Sequence, residues 1–277
     1  MEAYNSIVKT NNKFHFKTVD ICYRYDGSFY GALSCVFESF EKCEMPVQIV
    51  TNNDFSLFRV KHIETDEVKA KRILKAIPAK IGSEALEYVK LIFLTKLDTK
   101  EISLIHFLCE GFKHRHRFIQ KINTGFGPCR NVIAGALENI NIAKIHKAVD
   151  LLLLEAQRFI QFVRFSDIGG ALVSIIEPEN SVLSLLAEHF AERYPNEQFL
   201  IYDKTHRLGL LYTDKQIRLE QIEKYEMPVL SQEEKDCQKL WRLFYDTIAI
   251  KERRNERCRM NFMPKKYWKN MTEFLKD

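Results

Sequence analysis

Paired cysteines, glycine, proline and long apolar runs are all scarce in this sequence, and each scarcity excludes something. The seven cysteines (22, 35, 43, 109, 129, 237 and 258) are odd in number, irregularly spaced and nowhere arranged as CxxC. A zinc ribbon or an iron–sulfur cluster is therefore unsupported, and mostly buried thiols in a reducing cytoplasm are the economical expectation. Ten glycines and seven prolines in 277 residues, with 46% hydrophobic and 29% charged side chains, give the composition of an ordinary globular chain. No run approaches the length of a membrane span, and the opening MEAYNSIVKTNNKF lacks an apolar leader core. A cytoplasmic protein without membrane segments is expected. Catalytic signatures are missing as well: there is no HExxH, no P-loop and no nucleophile elbow. The sequence thus assigns neither a metal nor a cofactor.

What is present is a localised positive charge. From Lys251 to Asp277 nine Lys and Arg stand against four acids, an excess equal to the +5 of the whole chain. The densest part is Ala249 to Trp268, where Lys251, Arg253, Arg254, Arg257, Arg259, Lys265 and Lys266 interleave with Phe262, Tyr267 and Trp268. Cations mixed with aromatics suit an anionic, stackable partner, and nucleic acid is the obvious one. The plain alternative is a solvated charged face beside a helix that buries its aromatics. A second basic cluster, Lys113-His114-Arg115-His116-Arg117, closes an earlier helix. Helix C-termini favour cations for dipole reasons alone, so Lys113, Arg115 and Arg117 are either phosphate contacts or a solvated helix end. The following Gly125-Phe126-Gly127-Pro128 fits the turn of a helix-hairpin-helix, although the residues around it fit a simple loop better.

The periodicity predicts an α+β protein whose first half is mainly helical. Residues 1–18 form an arm. Val19 to Tyr25 reads as a strand, and Ser28 caps a helix bearing Phe29, Leu33, Val36, Phe37 and Phe40 on one face. Pro46 to Glu64 looks irregular, with short extended pieces. Helices then start near Asp66, stopping at Pro78, at Ser83 and near Thr99. Asn141 to Phe165 is the longest, and near its end Glu155 and Arg158 read as a surface pair one turn apart. A change of period gives strand, helix and three strands over 166–222, a small antiparallel sheet with one helix packed on it. In 223–277, Ser231-Gln232-Glu233-Glu234 is a capping box for a helix burying Leu240, Phe244 and Ile248. Pro264 opens a further short helix from Lys265 to Leu275. The expected segments are therefore 1–18, 19–165, 166–222 and 223–277.

Candidates for acid–base or metal chemistry are Asp26, Glu177, Glu179, His189, Asp203 and Glu252, which recur near turns. No spacing among them dictates a site. Asp26-Gly27-Ser28 serves equally well as a turn, Glu177-Pro178-Glu179-Asn180 as a strand end and helix cap, and His189 as a core histidine.

The landmarks in their order resemble a known family. They are Tyr25-Asp26-Gly27-Ser28-Phe29, Gly111-Phe112-Lys113, Arg164-Phe165, Glu177-Pro178, His189-Phe190-Ala191-Glu192-Arg193-Tyr194, Ile201-Tyr202-Asp203-Lys204, Ile250-Lys251-Glu252-Arg253 and Met263-Pro264-Lys265-Lys266-Tyr267-Trp268. Together they are similar to the bacterial DNA-metabolism and DNA-repair family built on the DUF4130 domain. That resemblance implies work beside a radical SAM protein of DNA modification or repair. The chain has no CxxxCxxC run, so radical chemistry would come from the partner. Gln157 stands where the resemblance leads one to expect His. The expectation is a DNA-binding repair or metabolism protein, with a carboxylate/His enzyme and a non-catalytic scaffold as alternatives.

Overall fold

The β-rich run before Asp26 forms strand β1 (Lys17–Tyr25), and Ser28 caps helix α1 (Phe29–Lys42) by accepting a hydrogen bond from Gly31 N at 2.9 Å. The computed structural model describes residues 16–52, 54–115, 118–122, 130–133, 139–253 and 255–274. Packing divides the chain into two units, residues 1–151 and 152–277. The expected arm falls largely outside the described residues, as does the Gly125–Pro128 turn.

In the first unit α1 returns the chain to β2 (Glu44–Thr51) beside β1, and β3 (Arg59–His62) pairs on the other side of β1. Both pairings are parallel, in the order β2-β1-β3. The stretch expected to be irregular is thus two strands of a sheet. The α1 crossover gives the β1–β2 pair its parallel sense, and Pro46 is accommodated because β2 lies at the edge. Helices α2 (Glu67–Lys80), α3 (Ser83–Leu94) and α4 (Lys100–His114) follow. Asp66 caps α2 through Val68 N and Lys69 N. Pro78 sits inside α2 rather than stopping it; the helix ends instead at Ile81 and Gly82, whose φ is +131°. Leu33 and Val36 of α1, Ile77 of α2, Val89 of α3 and Leu104 of α4 meet in one buried cluster. The Tyr25 hydroxyl donates to Glu101 Oε1 at 2.6 Å, tying β1 to α4. A short antiparallel pair, β4 (Ile119–Ile122) and β5 (Arg130–Ile133), precedes the long helix α5 (Ile140–Phe162).

The second unit contains β6 (Ser166–Ile168), β7 (Ala171–Ile176), helix α6 (Leu183–Arg193), β8 (Gln198–Asp203), β9 (Leu208–Thr213) and β10 (Gln216–Gln221). They form a five-stranded sheet in the order β10-β9-β8-β7-β6. Asp167 Oδ1 accepts from Gly170 N at 2.7 Å in the expected hairpin turn, where Gly169 and Gly170 take φ of +63° and +92°. The sheet is mixed rather than wholly antiparallel. α6 carries the chain from β7 to its neighbour β8, and that crossover makes the pair parallel.

Beyond the sheet come α7 (Gln232–Ile248), a 3-10 turn at Lys251–Arg253, α8 (Glu256–Phe262) and 3-10 turns at Lys265–Asn270 and Thr272–Phe274. Ser231 caps α7 as expected, accepting from Glu234 N at 3.1 Å. The expected burial of Leu240, Phe244 and Ile248 is not found; they are 66%, 52% and 59% exposed. α7 instead turns Trp241 and Tyr245 towards the C-terminal turns, through Trp241 Nε1 to Glu273 at 3.3 Å and the Tyr245–Phe274 ring pair. Tight turns, with Pro264 just outside them, replace the expected helix from Lys265.

Candidate functional site

The second unit brings together residues that lie far apart in sequence. Register pairs Ile176 with Asp203, so the carboxyl ends of β7 and β8 lie side by side, and Lys204 N donates to Ile176 O at 3.0 Å. Glu177 and Asp203 therefore flank one edge of the sheet, the edge where parallel strands present ligand sites in open α/β folds.

Glu155 completes this edge. It is 5% exposed, on α5. Its Oε1 accepts from Glu179 N at 3.1 Å, and Oε2 from Asn180 N at 2.9 Å and Asn180 Nδ2 at 2.8 Å. Lys266 Nζ closes the set, 3.2 Å from Glu155 Oε1 and 2.7 Å from Glu179 Oε1. Glu155 is thus not one half of a surface pair with Arg158 but a buried hub joining α5, the Pro178–Asn180 loop and the C-terminal block. Its place in the apolar stripe, one residue before buried Ala156, was the available signal. Gln157, at the expected His position, is exposed.

The C-terminal block is held by ion pairs. Lys266 pairs with Glu155, Lys269 pairs with Glu177, and Arg164 forks onto Glu273 through Nε at 3.2 Å and Nη2 at 2.7 Å. Burial works against the Lys266 charge, but Glu179, Tyr267 and Glu155 outweigh it and hold its pKa above the ordinary lysine value. A raised lysine pKa contributes stability that is complete below the unfolded value and lost as pH rises through the folded one. The melting-temperature gap between the wild type and Lys266→Met is therefore expected to stay constant through neutral pH. It should narrow above about pH 10, where lysine titrates.

The aromatics of the block are anchors. Tyr267 is 4% exposed and packs on Phe159 and Phe162 at ring separations of 5.1 and 5.3 Å. It therefore offers no face to a base, against the expectation that it stacks on nucleic acid. Trp268 is partly exposed; it stacks on Phe274 at 4.4 Å and gives its Nε1–H to Met263 O at 2.9 Å. Arg259 pairs with Glu256 at 2.6 Å and lies over the Trp268 ring at 4.8 Å.

What remains outward is a smaller set. Arg253, Arg257 and Lys265 are exposed, and Phe262 is 78% exposed beside them in sequence. Arg254 lies outside the described residues, and for Lys251 only the backbone is described. Glu252 is exposed within the 3-10 turn.

The other candidates are dispersed. Asp26 belongs to the first unit. Its Oδ1 accepts from Ser28 N at 2.9 Å and Ser28 Oγ at 2.7 Å, and its Oδ2 from Thr65 Oγ1 at 2.8 Å. Desolvation opposes its ionisation, but these Ser28 and Thr65 hydrogen bonds prevail and hold the carboxyl below its usual pKa. A Cβ at Gly31 would stand 2.2 Å from Asp26 Oδ1 and 2.9 Å from Thr65 Oγ1, so the helix start beside this exposed carboxylate leaves no room for a side chain at position 31. Lys113 pairs with Glu110 at 2.5 Å, exposed Arg115 ends α4 with φ +51°, and Arg117 lies outside the described residues. His189 is half-buried edge-on against Phe190.

Asp203 is 1% exposed and acquires a partner the sequence did not suggest. Its Oδ1 accepts from Thr205 N at 2.9 Å and His206 N at 3.0 Å, while Oδ2 lies 2.6 Å from His206 Nδ1. The turn that an Asp at a strand end makes with its own following amides brings His206 back onto it. No group of three or more metal-ligating side chains occurs among the described residues.

A mixed α+β chain with an anchored basic C-terminus is the class of protein these features define. The family model for DUF4130, a domain of unknown function, matches residues 104–273. This span exceeds half of the chain, and the chain belongs to the DUF4130 family. It takes in the whole candidate edge and the basic block but not the Asp26 turn. No curated protein and no solved structure matches. No helix among the described residues is long and apolar enough to cross a membrane.

Proposed function

We propose that the chain is a nucleic-acid-binding protein of DNA repair or DNA metabolism, working beside a radical SAM protein that supplies the chemistry. The observation that carries this reading is the division of labour in the basic segment. Lys266, Lys269, Tyr267 and Trp268 hold the segment down, and Arg253, Arg257 and Lys265 stand outward from it. A fixed set of outward cations meets phosphates without the cost of ordering a tail on binding. Phe262 offers apolar surface for an unstacked base. The order of the sequence landmarks supports the DNA process and the radical SAM partner.

Fluorescence anisotropy with single- and double-stranded oligonucleotides tests this reading. Binding by the purified chain is expected to weaken steeply with salt. No binding at low salt, with co-purification of a radical SAM protein that survives nuclease, would replace this reading with a protein scaffold.

The Asp203–His206 pair favours a second reading, an acid–base enzyme acting on DNA or a nucleotide. A carboxylate on Nδ1 fixes the tautomer of an imidazole, and Glu177 stands on the neighbouring strand end. Under that reading, turnover of labelled oligonucleotides or nucleotides is abolished in His206→Gln; turnover unchanged in that variant removes it.

A further inference from the structure

The first unit contains a cavity of about 240 Å³ between α1, α2 and α4, remote in function from the basic C-terminus. Its apolar wall is Phe37, Phe40, Ile73 and Phe112, of which the first three are buried. Phe40 and Phe112 meet edge to face at 5.7 Å, giving the wall a fixed aromatic corner. Its rim is charged with one sign in excess: Arg72, Lys75 and Lys80 line it against the single acid Glu41.

Lysine and arginine stems often cover apolar surface with no ligand involved, and Arg72 over Phe37 at 5.1 Å and Lys80 over Phe112 at 5.9 Å are such contacts. That packing accounts for where the stems lie, but it leaves an apolar cavity behind them. Burial, and next the charge of Arg115, draw the Lys80 pKa down. The negative charge of an anion at this rim opposes both effects. The cavity lies just below the usual range of ligand pockets, about 300–1,000 Å³, so its occupant is small.

We infer that this cavity binds a small amphipathic carboxylate, its apolar body against the phenylalanines and its carboxylate at the Arg72–Lys75–Lys80 rim. An apolar wall holds the body without direction, and the cations select the head group. A neutral or cationic head of equal length loses that selection, and a cation meets repulsion.

Isothermal titration of the full chain with decanoate, decanol and decylamine, all below their micelle concentrations, tests the assignment. Decanoate is expected to bind saturably at one site and decylamine at least about tenfold more weakly, the equivalent of about 1.4 kcal/mol. Replacing Arg72→Ala and Lys75→Ala together, both at exposed positions, should weaken decanoate about tenfold without moving the melting temperature. Ala76→Phe, which puts a ring into the cavity, should abolish binding. Absence of saturable decanoate binding, equal affinity for decylamine, or full affinity in the double variant or in folded Ala76→Phe would each overturn the assignment.

Discussion

Glu155→Ala is expected to destabilise the second unit by about 3–5 kcal/mol, since each buried donor left without an acceptor costs about 1–3 kcal/mol. The carboxylate serves Glu179 N, Asn180 N, Asn180 Nδ2 and Lys266 at once. Its loss strands two backbone donors, an amide side chain and a partly buried ammonium. Glu155→Gln keeps the shape and one acceptor oxygen but loses the charge, and should cost less, about 1–3 kcal/mol. Chemical denaturation read by the tryptophans, Trp241 and Trp268, both in this unit, measures both variants. Equal stability of Glu155→Ala and the wild type would mean that the loop and the C-terminal block do not depend on this residue.

Tyr267→Ala is the second large effect. Removing a ring that is 4% exposed and packed on Phe159 and Phe162 should cost about 3–5 kcal/mol. Tyr267→Phe is the informative contrast. Burial pushes the phenol's pKa up, against the pull of Lys266 and of a contact with Arg158, and the hydroxyl makes no hydrogen bond of ordinary geometry among the described residues. Deleting a buried hydroxyl without such a bond removes a desolvation cost, so this variant should be as stable as the wild type or more so. If Tyr267 met nucleic acid instead, both substitutions would lower affinity and leave stability unchanged.

The α+β class was legible because helical and strand periods are separate signals. The Val19–Tyr25 strand, the Ser28 cap and the Gly169-Gly170 hairpin all formed where local chemistry asked for them. The parallel sheet was not legible. Pairing sense is a non-local property, and Pro46 made an edge strand look like a loop. The basic block was legible as charge but not as geometry. Lys265 and Lys266 are neighbours in sequence, yet Lys265 is exposed beside Trp268 while Lys266 is bound by two glutamates. Nothing local distinguishes them, because the acids that claim Lys266 come from residues 155 and 179. His206 was missed for a related reason: three residues from Asp203, it becomes a partner only when the hairpin turn folds back. α7 shows the converse failure, since an amphipathic stripe predicts a face, not that anything covers it.

The central claim is that Arg253, Arg257 and Lys265 contact nucleic acid and that Lys266, exposed but held by two glutamates, does not. It is tested most directly by the salt dependence of oligonucleotide affinity in two variants. Replacing Arg253, Arg257 and Lys265 together by Ala should flatten the slope of log affinity against log salt by about 2–3, at roughly 0.7–0.9 for each phosphate no longer neutralised. Lys266→Met should leave that slope unchanged while lowering the melting temperature. A slope unaltered in the triple variant, or flattened equally by Lys266→Met, would contradict the account.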